Sequence, residues 1–149
     1  MKIFRSAMIA VSVAVALLII ASCTKKADAV GNLLDMKPGM TKEDVVKTLG
    51  DDYTMDDMRM VYQNKPLLSF TDAGQSTKAK FFLNDSDVVY SIGYYTYNHV
   101  DRDFKEAEKL IKEKYGDPTT SDDQYTEWVY DGGAVSLAKG TDYIAIGIY

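Results

Sequence analysis

A single cysteine, Cys23, stands in the whole chain. With no second thiol, a domain built from this sequence has no internal disulfide, no Cys-x-x-Cys redox pair and no thiolate cluster for zinc. Its own apolar core must therefore hold it together. The position of that cysteine adds a second constraint. Lys2 and Arg5 make a short positive segment, and Ala7 to Ala21 is apolar except for Ser12, ending in Ile20-Ala21-Ser22-Cys23. The apolar run falls short of the roughly 20 residues that cross hydrocarbon as a helix, so it reads as a cleaved signal peptide rather than a membrane span.

An aliphatic residue, two small residues and a cysteine in that order resemble a bacterial lipobox. The resemblance implies diacylglyceryl modification of the Cys23 thiol, cleavage before it, and acylation of the new amino group. Each buried methylene contributes about 0.8 kcal/mol, so two or three chains hold a protein at a membrane where one binds marginally. The expected organisation is a signal peptide at 1–22, the lipidated cysteine and a short polar tether at 23–31, and an extracytoplasmic domain at 32–149. Thr24 follows the cysteine, where an aspartate tends to retain lipoproteins in the inner membrane, so a source with two membranes favours the outer one. Removing 1–22 takes away two basic residues and no acid, which moves the net charge from −5 to −7 over 127 residues. Such a surface repels nucleic acid.

Two segments carry helix punctuation. Thr41 with Asp44 forms a capping-box pattern before Val45, Val46 and Leu49, and Gly50 is placed to end the helix. In the second, Asp101 or Asp103 is expected to cap a stripe of Phe104, Ala107, Leu110, Ile111 and Tyr115, closed by Gly116 and Pro118. Strand character covers 58–63, 67–71, 78–83, 88–97, 125–130, 134–137 and 143–149, with the clearest turns at Asn84–Asp87 and Asp131–Gly133. The pattern Gly50-Asp51, Thr54, Asp56-Asp57 recurs 66 residues later as Gly116-Asp117, Thr120, Asp122-Asp123. The fold class expected is therefore α+β, with two helix-plus-antiparallel-sheet repeats, about 36–97 and 101–149, and the helices packed on one face of the sheet.

Met36-Lys37-Pro38-Gly39-Met40-Thr41-Lys42-Glu43-Asp44-Val45, ending in Leu49-Gly50, resembles the opening of the SmpA/OmlA (BamE-like) lipoproteins. That resemblance implies one or two repeats of the β-lactamase-inhibitor-protein fold and an envelope-assembly role. The chain departs from the family pattern where Asp51-Asp52 replaces the proline usual after Leu-Gly.

Chemistry is harder to find. His99 is the sole histidine, and a Ser-His-Asp hydrolase would have to use it, yet no Gly-x-Ser-x-Gly elbow or phosphate-cradling loop accompanies it. Asp51, Asp52, Asp56, Asp57, Asp122 and Asp123 offer hard oxygen ligands, but their spacing matches no EF-hand and suits turns. No catalytic set, metal or cofactor is expected. Tyrosine stands out, with 11 in the chain. Alternation puts Val88, Tyr90, Ile92 and Tyr94 on one face of a strand and Val89, Ser91, Gly93, Tyr95 and Tyr97 on the other. In the last strand, Ile144, Ile146 and Ile148 oppose Tyr143, Ala145, Gly147 and Tyr149. Tyr95, Tyr97, Tyr143 and Tyr149 are thus candidates for a surface that binds a partner, although β-propensity alone also accounts for them. The expectation is a lipid-anchored, non-catalytic module that binds an envelope protein. A site for a small glycan or peptide between repeats is the alternative, and a hydrolase centred on His99 a third.

Overall fold

The computed structural model describes residues 32–149. The expected signal peptide, Cys23 and the expected tether to residue 31 lie outside the described residues. Eight strands make one antiparallel sheet: β1 (Thr54–Asp56), β2 (Arg59–Gln63), β3 (Thr77–Leu83), β4 (Val89–Tyr97), β5 (Thr120–Ser121), β6 (Tyr125–Tyr130), β7 (Gly133–Lys139) and β8 (Tyr143–Ile148). Their order across the sheet is β1-β2-β3-β4-β8-β7-β6-β5. The α-helices among the described residues are α1 (Lys42–Leu49) and α2 (Val100–Tyr115), with a 3-10 turn at Leu33–Asp35.

This architecture corrects the expectation of two helix-plus-antiparallel-sheet repeats. The chain forms mostly one sheet, because β4 and β8 pair over six residues from Ile92↔Ile148 to Tyr97↔Tyr143 and neither half closes on its own. The helices are also unequal. α2 lies across β4, β6, β7 and β8, whereas α1 has no comparably extensive packing against any strand. It hangs from the β3–β4 turn by an isolated bridge between Thr41 and Val88 and by Lys42 N–H donating to the Asp87 carbonyl at 2.9 Å. A short recurrent Gly-Asp…Asp-Asp pattern marks similar helix exits; it does not make the segments around them equivalent.

Local chemistry explains the elements that form as expected. The Asp44 amide donates to Thr41 Oγ1 at 3.2 Å and the Thr41 amide to Asp44 Oδ2 at 3.0 Å, completing the capping box. These bonds hold the Asp44 carboxyl below the usual carboxylate range. Gly50, at φ +86°, closes the helix. At the start of α2 the expectation fails: His99 is the cap residue with no side-chain bond, and Asp103 is fully buried. Asp103 lies four and eight positions before Ala107 and Ile111, on the stripe that faces the sheet.

Two strand assignments also change. Residues 67–71 form no strand: after Pro66 the chain turns, with the Thr71 amide donating to the Leu68 carbonyl at 2.9 Å and Leu67 and Leu68 buried. In β4, the pairing slips between Phe82↔Ser91 and Leu83↔Val89, a bulge that leaves Tyr90 without a partner. The extra residue reverses the expected alternation at that end, so Val89 is buried and Tyr90 is 56 % exposed. Beyond the bulge, Ile92, Tyr94 and Thr96 point inward as β3 presents Ala79, Phe81 and Leu83.

One core results, joining Val45 and Leu49 of α1, Phe104, Ala107 and Ile111 of α2, and the inward side chains of β2, β3, β4, β6, β7 and β8. Its buried polar tips are partnered: Trp128 Nε1–H donates to the Gly116 carbonyl at 3.1 Å and the Tyr62 hydroxyl to the Gly50 carbonyl at 2.8 Å. Burial, with Tyr53, Asp51 and Asp52 nearby, pushes Tyr62 up to about 12. Between its ordinary pKa near 10 and 12, native Tyr62 keeps a proton that the unfolded chain releases, so stability falls as pH rises through that window. Urea midpoints measured from pH 8 to 11.5 are expected to drop less steeply in Tyr62→Phe than in the parent; identical slopes would show that Tyr62 ionises freely.

Candidate functional site

Among the described residues the helices cover one face of the sheet and leave the other open. On that outward face, backbone pairing aligns side chains into rows across five strands. One row runs Lys80, Gly93, Gly147, Ser136, Glu127. A second runs Lys78, Tyr95, Ala145, Ala138, Tyr125. The centre is thus a floor of glycine, alanine and serine, with larger groups toward the sides.

Tyrosine rings use that floor. A Cβ on Gly93 would meet the Tyr95 ring at 3.3 Å, and one on Gly147 would meet the Tyr149 ring at 3.4 Å and the Ser136 hydroxyl at 2.8 Å. The glycines thus give each ring room to lie back along its own strand. Tyr95 and Tyr97 both lie against Tyr143, at centroid separations of 6.1 and 6.3 Å, and Lys80 Nζ stands 5.2 Å from the Tyr95 ring. Burial, then its tyrosine and Asp142 neighbours, raises the Tyr97 pKa. Of the four tyrosines anticipated, these three form one cluster. Tyr149 belongs to another: its hydroxyl and that of Tyr125 both donate to Glu127 Oε1, at 2.8 and 3.0 Å. Hydrogen bonding with Tyr149, followed by burial and the Glu127 carboxylate, raises the Tyr125 pKa. Tyr125 and Glu127 escaped the sequence reading. Their i, i+2 spacing on a strand opposite the small-residue stripe was the available signal.

Tyr90, Val129, Tyr143 and Tyr149, four of the large apolar residues exposed by more than a third, lie on this face. Phe82 and Tyr90 stand 6.1 Å apart at one corner. A surface of this kind suits contact with another macromolecule.

Other candidates are placed elsewhere. His99 is exposed at the start of α2, and among the described residues its side chain makes no hydrogen bond to a serine or carboxylate. No three His, Cys, Asp or Glu side chains among the described residues gather as metal ligands. A cleft of about 440 Å³ opens between the loop after β2 and α2, lined by Leu34, Pro66, Leu67, Ser69, Thr71 and Leu110.

The buried carboxylate of Asp103 is the polar centre that sequence reasoning missed. Its Oδ2 accepts from the Gln75 amide and the Thr96 hydroxyl, both at 2.5 Å, and its Oδ1 from Arg102 Nε and Nη2 at 2.9 and 2.7 Å. Four donors leave it satisfied, so it ties the loop before β3 to β4 and α2. A polar residue interrupting an apolar helical stripe was the signal for it.

The family model described as the TP0088 domain matches residues 33–145. No curated protein matches the chain. No solved structure matches it either.

Proposed function

The chain belongs to the TP0088 domain family, and we propose that this member is an extracytoplasmic lipoprotein whose domain binds protein in the cell envelope without catalysing a reaction. Acyl chains on Cys23 hold it at the membrane, the outer one where the source has two. Among the described residues no helix is long and apolar enough to cross a membrane. The observation that carries the binding role is the uncovered sheet face, with its small-residue floor and flanking tyrosines. The 36–45 segment, which resembles the SmpA/OmlA opening, supports the envelope setting.

The test is made on the full chain in its native host. Acyl label should appear on the parent and vanish with Cys23→Ala, which should also shift the protein out of the membrane fraction. Chemical cross-linking should then yield an adduct that Tyr95→Ser/Tyr97→Ser abolishes while the melting temperature stays within a few degrees. An unlabelled parent removes the anchor, and an adduct indifferent to both tyrosines removes the face. The 440 Å³ cleft gives a small-ligand reading its one observation. A melting shift with a glycan or peptide that Leu110→Trp erases would favour it instead.

A further inference from the structure

We propose that the outward sheet face is an isologous interface between two copies of this chain, related by a two-fold axis that runs along β8 between the facing sheets. The proposal rests on the reading that this face binds protein, and it names the partner.

The order of side chains across the face suits such a pairing. β8 is the middle of five strands, β3-β4-β8-β7-β6. A two-fold axis along β8 therefore lays β3 of one copy over β6 of the other, and β4 over β7, while each row stays opposite itself. In the first row, Lys80 and Glu127 occupy the two ends, about 19 Å apart at 4.8 Å per strand. The rotation brings each Lys80 over the partner copy's Glu127, twice per dimer. Neither residue forms an ion pair among the described residues. In the second row, Tyr95 comes over Ala138 and Lys78 over the phenol of Tyr125. A third row starts at Phe82↔Ser91 and ends at Ala134↔Val129, with Ala134 bonded through both backbone groups to Tyr149. Here Phe82 comes over Val129, the latter 58 % exposed. Away from the axis the rows thus set a large side chain on a small or apolar one, or a cation on an acceptor, while on the axis Tyr149, next after β8, meets the Tyr149 of the other copy. The floor at Gly93, Gly147, Ser136 and Ala145 lets two sheets approach to the roughly 10 Å of sheet-on-sheet packing.

Charge also selects the axis. A two-fold axis across the strands would put Lys80 on Lys80 and Glu127 on Glu127, where like charges repel. Geometry agrees for an anchored protein. Rotation about the strand direction leaves height along that direction unchanged, so both copies keep Asn32, where the described domain begins, at one level. Two tethers can then reach a single membrane.

The experiment uses the full acylated chain in its own envelope. Acylation blocks Cys23, so Ala145→Cys, on the axis, supplies the one free thiol for a short bis-maleimide. The expected product is a species of twice the chain mass, absent from a Lys109→Cys control on the exposed side of α2. In the Ala145→Cys background, Lys80→Glu alone and Glu127→Lys alone should each cut that product at least tenfold. The double variant Lys80→Glu/Glu127→Lys should restore it, as should coexpression of the two single variants, since each then meets an opposite charge. Restoration also shows that the substituted chains fold. Loss in the singles without rescue, or yields unchanged by either, overturns the pairing. A product that mass spectrometry assigns to a different protein overturns the homodimer while leaving protein binding by this face intact, and no product at all also overturns the homodimer, protein binding by the face being decided by the Tyr95→Ser/Tyr97→Ser adduct.

Discussion

Replacing Asp103 with leucine is expected to cost roughly 3 kcal/mol of unfolding free energy, because several polar groups lose one acceptor together. Thr96 Oγ1 and the Gln75 amide donate to its Oδ2 from buried positions, and leucine returns nothing to either. Arg102 suffers less, since its side chain is 49 % exposed and water replaces the lost carboxylate. Hence Arg102→Ala should fall well below Asp103→Leu in the same urea titration, and Asp103→Asn between them, its amide oxygen still able to accept from one set of donors. Equal effects for Arg102→Ala and Asp103→Leu would relocate the energy to the ion pair. Hydrogen exchange in the Asp103→Leu variant should quicken first in the 64–76 loop, which the Gln75 bond pins to α2.

Trp128→Ala is expected to have the largest effect of any single core truncation, about 3–5 kcal/mol, enough to unfold much of a domain of ordinary stability. The indole is 1 % exposed and its N–H satisfies the Gly116 carbonyl at the exit of α2. Truncation therefore opens a cavity between helix and sheet and strands an acceptor. Circular dichroism during denaturation measures the loss, and Trp128→Phe separates its parts: phenylalanine refills most of the volume but not the hydrogen bond, so it should retain more than half of the stability lost in alanine. A near-neutral Trp128→Ala would mean that α2 can settle onto β6 without it.

What could be read from the residues follows from how local each determinant is. The capping box of Thr41 and Asp44 is complete within four residues, and Gly50 and Gly116 stop their helices by backbone geometry alone. Alternation likewise put Tyr95, Tyr97, Tyr143 and Tyr149 outward, because period two needs no partner to be visible. The failures are non-local. Leu67 and Leu68 look like strand, but the Leu67 amide is taken by the Tyr94 hydroxyl at 3.1 Å and its carbonyl by the Leu33 amide at 2.9 Å. The bulge that turned Tyr90 outward depends on register against β3. The two edge strands are two and three residues long with every side chain exposed, so they carry no hydrophobic pattern. The single sheet depended on the long β4–β8 pairing, between strands nearly 50 residues apart; the likeness of Ser91-Ile92-Gly93-Tyr94 to Ala145-Ile146-Gly147-Ile148 relates the two strands without showing that they pair. At the candidate site, four tyrosines were legible, whereas Tyr125, Glu127 and the Lys80 end of the row appear only once the strand order is known.

Those short edges have a consequence for assembly. β1 ends in Asp56, whose carboxylate is held by Arg59 at 2.7 Å, and β5 offers only Thr120 and Ser121. Neither presents the long, flat run of free backbone groups onto which further strands can add. Lateral growth into fibrils is therefore blocked at both margins of a sheet otherwise wide enough to template it. If the chains are held in one membrane plane as proposed, a crowded population of them is left with discrete, closed contacts in place of open-ended polymerisation.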